Sequence, residues 1–208
     1  MSCIQPSLLE LGDPPGPRPL EGSVFRRELG RGAFVDLRPG FLAGASELFS
    51  SLVHSVCWRE ERRRMYDRVV AVPRLVSFYE EGRELPDGRL EEARRVIEAH
   101  YQAVLGEPLA TAGLCLYRDG RDSVAWHGDT LGRGAVEDTL VAICSLGATR
   151  RFMLRPRGGG ASLCFALGPG DLLVMGGSCQ RTFEHAVPKT TRRVGPRISL
   201  QFRPAGVR

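Results

Sequence analysis

His127 and Asp129 stand two residues apart in the run Ala-Trp-His-Gly-Asp. On a strand, residues two apart project from one face. That face then offers an imidazole and a carboxylate to one point, with Gly128 between them leaving room. Two ligands hold a transition metal weakly, and a strand-like run later in the chain, RTFEHAV, supplies a third in His185. Two histidines and one carboxylate with open coordination positions form the facial arrangement of non-haem Fe(II) oxygenases. Arg197 and Arg203 follow in RISLQFR, six apart and so on one strand face, with Ser199 and Gln201 between them on that face. Cations facing an interior need an anion, and a dicarboxylate such as 2-oxoglutarate suits one of them. Each piece alone also reads as ordinary: an HxD pair recurs by chance, and two arginines on a strand are as readily a solvated pair. The order HxD, His, Arg, Arg, all on short strands, favours the chemical reading.

The elements that must position these groups are legible from residue 110 onward. GLCLYR, DSVAWHGD, TLVAICSL, RRFMLRP, ASLCFAL, DLLVMGG, RTFEHAV and RISLQFR are short β-branched or alternating runs. DGRD, GAT, RGGG and GPGD separate them as turns. RGGG is a hairpin tip rather than a phosphate loop, because no helix follows it. Upstream, Leu42, Ala45, Leu48, Phe49, Leu52, Val53 and Val56 recur at helical spacing toward Trp58. Leu90, Ala93, Ile97, Tyr101 and Val104 mark a second buried helical face, closed by Gly106. The reading is an α+β, mainly β domain, a sandwich or jelly roll with N-terminal helices packed outside one sheet. Residues 1–24, rich in Pro and Gly, form a mobile leader, and residues 25–208 the domain. Trp126 points away from His127 and is assigned to the core. His54 and His100 lie on helices and are assigned to surface or satisfied core roles.

Composition sets the outer bounds. The chain has 208 residues, 42% hydrophobic and 25% charged, enough for one domain with its own core. No apolar run approaches membrane-spanning length, and the N-terminus has no signal-peptide pattern, so a monomeric cytoplasmic protein with no membrane partner is expected. The six cysteines are scattered without a CxxC and read as buried free thiols. Net charge is +5 with a pI near 9.1, and only Lys189 among the 29 basic residues is lysine. That balance permits a polyanionic partner without requiring one.

With these pieces in place, the chain resembles the AlkB-like Fe(II)- and 2-oxoglutarate-dependent dioxygenases, which repair alkylated nucleic acids. The resemblance runs from roughly residue 33 to 205. It is carried by VPRLVSFY, LYRDGRDSVAWHGD, ICSLGATRRFMLR, GDLLVMGG, EHAVP and RISLQFR, whose joint order and spacing make it specific. It implies a double-stranded β-helix and a site that uses Fe(II), 2-oxoglutarate and O2. By resemblance His127, Asp129 and His185 are the iron ligands, Tyr117 and Arg197 hold the distal carboxylate of 2-oxoglutarate, and Arg203 assists at its other end. Cys115 stands where the family usually has asparagine, and Ser199 and Gln201 where it favours Asn and Thr. Tyr66, Arg68 and Thr130 fall where the family touches the nucleotide. The lid segment YEEGRELPDGRL lacks aromatic residues after Tyr79.

The function so implied is oxidative demethylation of N-alkylated bases in DNA, with release of formaldehyde and succinate. Single-stranded DNA is the expected substrate, since a thin lid gives few wedges for extruding a base; RNA or duplex DNA are the variants. The rivals are a 2-oxoglutarate-dependent hydroxylase or demethylase of a protein or small molecule, and a non-catalytic cupin-like binding module. The module has no need of the terminal arginines or of Tyr117.

Overall fold

The computed structural model describes residues 14–65, 68–130 and 132–207. In chain order its elements are β1 (Gly16–Pro17), β2 (Phe25–Gly30), β3 (Ala33–Arg38), β4 (Leu42–Ala43), α1 (Ala45–Ser55), β5 (Arg59–Met65), β6 (Arg68–Tyr79) and α2 (Gly88–Leu105). Then follow β7 (Thr111–Tyr117), β8 (Val124–His127), β9 (Val141–Gly147), β10 (Arg150–Pro156), β11 (Leu163–Leu167), β12 (Leu172–Gly176), α3 (Cys179–Thr182), β13 (Phe183–Val187) and β14 (Arg197–Arg203). All eight strands expected after residue 110 are present.

Two antiparallel sheets face each other as a double-stranded β-helix. The larger has the order β2-β3-β12-β9-β14-β7-β6-β5 and the smaller β11-β10-β13-β8. Helices α1 and α2 cover the outer face of the larger sheet, so its strands carry apolar side chains on both faces. Along β9, Ala142, Cys144 and Leu146 join the helix-side core, whereas Val141 and Ile143 join the core between the sheets. Strand β12 repeats this with Leu172 and Val174 outward and Leu173 and Met175 inward.

Helix α2 starts where the Asp87 side chain accepts the Arg89 N–H at 3.0 Å, an N-cap. Gly106 in the left-handed region ends it. Its buried face is Leu90, Ala93, Ile97 and Tyr101. The expected fifth member, Val104, is 53% exposed, and Leu105 packs against the core instead. The last turn rotates past the sheet edge, which a fixed helical period does not anticipate. Leu42 likewise belongs to β4, not to α1.

The leader expectation is corrected in part. Residues 1–13 lie outside the described residues, but from Pro14 the segment packs on the domain. Strand β1 pairs with β4, the Arg18 N–H donates to the Phe41 carbonyl at 2.7 Å, and Leu20 is buried in the helix-side core. Proline and glycine exclude a helix here, yet an extended chain still buries its one leucine. The cysteines also divide: Cys144 and Cys179 are buried, Cys115 half-buried, and Cys57 and Cys164 exposed. Cys3 lies outside the described residues.

One polar contact clamps α2 to the sheet. Asp36 on β3 is buried, accepts the Tyr101 hydroxyl at 2.8 Å, and takes Nε and Nη2 of Arg26 at 2.8 Å each. Arg26 also lies over the Phe34 ring at 3.8 Å. Tyr101→Phe should lower stability by about 1 kcal/mol, the net worth of one hydrogen bond. Asp36→Ala should cost about 2 kcal/mol, since it orphans a buried hydroxyl while the half-exposed arginine rehydrates. Urea unfolding of both variants checks the order.

Candidate metal centre and anion pocket

Strand β14 sits between β9 and β7, and the register settles which side chains share the inner face. Arg197 lies opposite Tyr117, and Ser199 opposite both Cys115 on β7 and Ser145 on β9. Ile198, Leu200 and Phe202 face the helices, so Arg197, Ser199, Gln201 and Arg203 face inward, as the six-residue spacing predicts.

The facing sheet contributes the histidines. His127 and His185 are directly opposed on β8 and β13, with ring centroids 4.2 Å apart. The register shifts between this pair and Val187–Val124, so β8 carries a bulge at its middle. The bulge turns Val124 and His127 inward although they are three residues apart, while Trp126, next to His127, faces outward by simple alternation. His127 Nδ1 lies 2.8 Å from the Ala125 carbonyl, which fixes Nδ1 as the protonated nitrogen and leaves Nε2 its lone pair. Phe152 stacks on His185 at 5.3 Å.

Asp129 completes the group. The ligand atoms of His127, Asp129 and His185 lie within 4.8 Å of one another. Arg203 Nε donates to Asp129 Oδ2 at 2.6 Å, leaving the other oxygen for the histidines' side. The Asp129 N–H donates to Gln180 Oε1 at 3.0 Å, and the Gln180 carbonyl accepts Arg157 Nη2 at 3.0 Å. A Cβ on Gly128 would stand 2.4 Å from Arg157 Nη2 and 2.9 Å from the Gln180 carbonyl, so the HxD turn requires glycine at its centre.

On the facing sheet stands a buried cation with an open donor. Arg197 is 1% exposed, its Nε donates to Ser145 Oγ at 2.9 Å, and its Nη1 has no partner. It lies against the Tyr117 ring, with Arg150 on the same ring at 5.6 Å. Burial pulls the Arg197 guanidinium below its usual range and pushes the Tyr117 phenol up to about 12. A buried cation with an open donor is a receptor for a carboxylate. Two soft or weak donors, Cys115 and Ser199, continue the wall toward the metal cluster. The Gln201 amide donates to Ser199 Oγ at 2.6 Å, and Cys115 Sγ lies 3.8 Å from Gln201 Oε1.

A family model described as the 2OG-Fe(II) oxygenase superfamily matches residues 45–203. The chain belongs to that superfamily. Its cofactors are accordingly Fe(II), with 2-oxoglutarate and O2 as cosubstrates, and the His–Asp–His cluster and orphaned Arg197 donor fit that set. The chain is 33% identical over 196 residues to alpha-ketoglutarate-dependent dioxygenase alkB homolog 3 of Bos taurus, and 30% identical over 190 residues to that of Homo sapiens. Each match covers 81% of this chain and 65% of the relative, so the chain spans less than two thirds of those proteins. The solved structure of OsALKBH1 shares the fold at TM-score 0.56 and 15% identity, over 86% of this chain and all of that one. A prolyl hydroxylase from Trichoplax adhaerens does so at 0.59 and 11%, over 82% and 83% of the two chains.

The other expected residues are placed less centrally. Thr130 turns back on its own loop, its hydroxyl 3.4 Å from the Gly128 carbonyl. Arg68 opens β6, and Tyr66 lies outside the described residues. Trp126 is corrected from core to surface: it is half-buried on the outer face of the small sheet, with the Arg155 guanidinium 4.0 Å over its ring. Sequence reading missed Ser145, Gln180 and Arg150. Arg150 is buried and donates to the carbonyls of Asp119, Asp122 and Pro188, tying the β7–β8 loop to the end of β13. Nothing in RRFMLRP distinguishes it from Arg151 except alternation.

Electrostatics hold all three cluster residues in ligand form. Burial drives His185 down to about 3, with His127 adding to the effect, and burial also lowers His127. Burial alone would raise the Asp129 carboxyl, but Arg203 and then His185 overrule it and hold it at about 2. In the metal-free protein the unfolded chain therefore takes up protons that the folded one refuses. Stability is fully present above the ordinary histidine value of about 6.5 and falls as pH drops from there toward about 3. His185→Gln should flatten the profile across that window. Thermal unfolding of chelator-treated protein against pH measures it; identical slopes would mean His185 is not buried neutral.

Proposed function

We propose that this protein is an Fe(II)- and 2-oxoglutarate-dependent dioxygenase that removes alkyl groups from N-alkylated bases in nucleic acid, with single-stranded DNA the preferred form. The observation that carries the reading is Arg197: a fully buried guanidinium with an unpaired Nη1, on the same inner strand face as Arg203, which pairs with Asp129 of the His–Asp–His cluster. A metal-binding cupin without a cosubstrate has no use for that donor. Similarity to the alkB homologues supports a nucleic acid rather than another substrate.

In this assignment His127, Asp129 and His185 hold the iron, which when bound supplies the O2-dependent oxidation of 2-oxoglutarate and of an alkyl C–H bond. Tyr117, Arg197 and Ser145 grip the distal carboxylate, while Cys115, Ser199 and Gln201 line the path toward the metal. The Ala125 carbonyl orients His127, and Gln180 and Arg203 orient Asp129, so the ligand set is pre-organised before cosubstrate enters. Arg203 also keeps Asp129 ionised. The apolar residues between the sheets exclude water from the buried end of the pocket.

The substrate side is the uncovered end of the large sheet. Val76 and Phe78 oppose Cys115 and Gly113, so they share the inner face with the pocket. They open onto a groove of about 500 Å³ lined also by Arg59 and Arg83. An exposed phenylalanine beside arginines suits stacked bases and their phosphates.

Alanine at His127, Asp129 or His185 should abolish turnover and leave the fold intact, since the core does not depend on the metal. Arg197→Ala should weaken 2-oxoglutarate binding by about 2–5 kcal/mol while leaving oligonucleotide binding unchanged. Cys115→Asn should leave cosubstrate binding unchanged or improved. Formaldehyde and succinate release from N1-methyladenine and N3-methylcytosine, in matched single and double strands across a salt series, tests the substrate. Single strands should be the better substrate, with binding that weakens as salt rises. 2-Oxoglutarate consumption without activity on any oligonucleotide would move the assignment to a protein or small-molecule substrate.

A further inference from the structure

Cys115 lines the cosubstrate path and takes no part in the oxidation, yet it is a nucleophile. It is half-buried on the inner face of β7 and packs against the core between the sheets. Its thiol lies 3.8 Å from Gln201 Oε1, a weak contact. Arg74 approaches the sulfur from β6. Leu75 pairs with Leu116, so Arg74 is level with Tyr117, and its Nε donates diagonally to Cys115 Sγ at 3.4 Å. Its Nη1 donates to the Ser123 carbonyl at 3.3 Å, which keeps the guanidinium in place. A cation against sulfur steadies the negative charge that a thiol carries when it acts as a nucleophile. Among the described residues no other cysteine accepts a hydrogen bond from a guanidinium.

The same wall holds the anion receptor. Arg197 lies opposite Tyr117, which is two residues and about 7 Å along the strand from Cys115, and the buried Arg197 Nη1 has no partner. Burial raises the Tyr117 phenol first and the Cys115 sulfur raises it further, so ring and sulfur are within electrostatic reach. A diacid gripped by Arg197 at one carboxylate runs its carbon chain along β7, past the thiol. The saturated inner carbons of 2-oxoglutarate give sulfur nothing to attack. A diacid whose inner carbons form a double bond presents an electrophile in their place.

We propose that Cys115 is a site of covalent modification by unsaturated four-carbon dicarboxylates, fumarate being the simplest, which Arg197 recruits to the thiol that Arg74 flanks. The proposal rests on the cosubstrate reading above, since it needs Arg197 to hold a carboxylate. In the step the thiol gives its proton to water, and the sulfur electron pair forms an S–C bond to one alkene carbon. The π pair moves to the other alkene carbon, which takes a proton from water. The net change is addition of S–H across C=C, with no oxidant or reductant, and the product is a thioether that carries a succinate group. That group fills the cosubstrate path with its charge beside Arg197, so the modified protein no longer admits 2-oxoglutarate.

The test is peptide mass mapping of Mn(II)-loaded protein, kept anaerobic, after incubation with fumarate. Cys115 should gain the mass of one fumaric acid about tenfold or more faster than the exposed Cys57 and Cys164. Saturating 2-oxoglutarate, or Arg197→Ala, should slow that gain about tenfold or more. Protection by 2-oxoglutarate needs no variant and serves if Arg197→Ala does not fold. Acrylamide, a neutral acceptor of the same addition, should reverse the order and label Cys57 and Cys164 first, because exposure alone then decides. Arg74→Met should slow the reaction at Cys115 with both reagents. After dialysis, 2-oxoglutarate binding should stay lost in fumarate-treated wild type and return in treated Cys115→Asn. Fumarate labelling that follows exposure, or a Cys115 adduct that 2-oxoglutarate does not slow, would overturn the proposal. Competition between the two diacids that dialysis fully reverses, with no adduct, would overturn it and leave the cosubstrate reading standing. Wild-type protein that binds neither diacid would sink that reading as well.

Discussion

Strand β14 serves two interiors, and the rest of the site depends on its register. Ile198, Leu200 and Phe202 are sealed under the helices, while Arg197, Ser199, Gln201 and Arg203 face the other sheet. A slip of one residue would drive two guanidinium groups into the helix-side core and empty three apolar side chains into the cavity. Pairing with β7 and β9 on both sides excludes that slip. The separation between a greasy face and a charged one is thus set by backbone pairing, and the site inherits its accuracy from the centre of the sheet rather than from loops.

Burying cations inside such a cavity costs stability unless something answers their charge. Three solutions occur within one small volume. Arg150 gives its donors to three backbone carbonyls and behaves as a structural rivet. Arg203 pairs with Asp129, which neutralises both and keeps the carboxylate ionised beside two neutral histidines. Arg197 has only a serine hydroxyl and the face of Tyr117, and one of its nitrogens is unanswered. The same residue type is satisfied where it holds the fold and left wanting where an anionic ligand fits. That contrast, more than the presence of arginine, marks the pocket as a receptor.

The strands after residue 110 were legible because turns punctuate them and because each is short. The HxD pair and the two terminal arginines were legible through period-two alternation alone. What was hidden follows from long-range pairing. Strands β5 and β6 carry no clean alternation, since β6 has apolar residues on both faces, and β5 reads as a charged run until it finds its partner. The β8 bulge could not be seen in AWHGD. Trp126 points away from His127 as alternation requires, but whether that outer face is covered is a tertiary matter, and its ring meets the Arg155 guanidinium rather than a core. Val104 obeyed the helical period but outran the sheet beneath it. Ser145 and Gln180 are invisible as partners because each acts on a residue more than 50 positions away in sequence.

The unequal size of the two sheets explains where chemistry meets solvent. The small sheet has four strands against eight, and its edge strand β8 ends at the metal cluster. Beyond it, among the described residues, no further strand of the small sheet faces β6. On that strand Leu75 and Tyr79 pack with the helix-side core, whereas Arg74 reaches Cys115 and Val76 and Phe78 line the open groove. An apolar or aromatic residue on a covered face would be counted as core, and the same residue on an uncovered face becomes contact area for a ligand. Burial at the closed end makes the electrostatics of the metal and anion sites strong, and the missing roof a few residues away leaves room for a substrate as large as a nucleic acid strand. Both follow from one sheet overhanging the other, with the conversion from core to binding surface occurring along β6 itself.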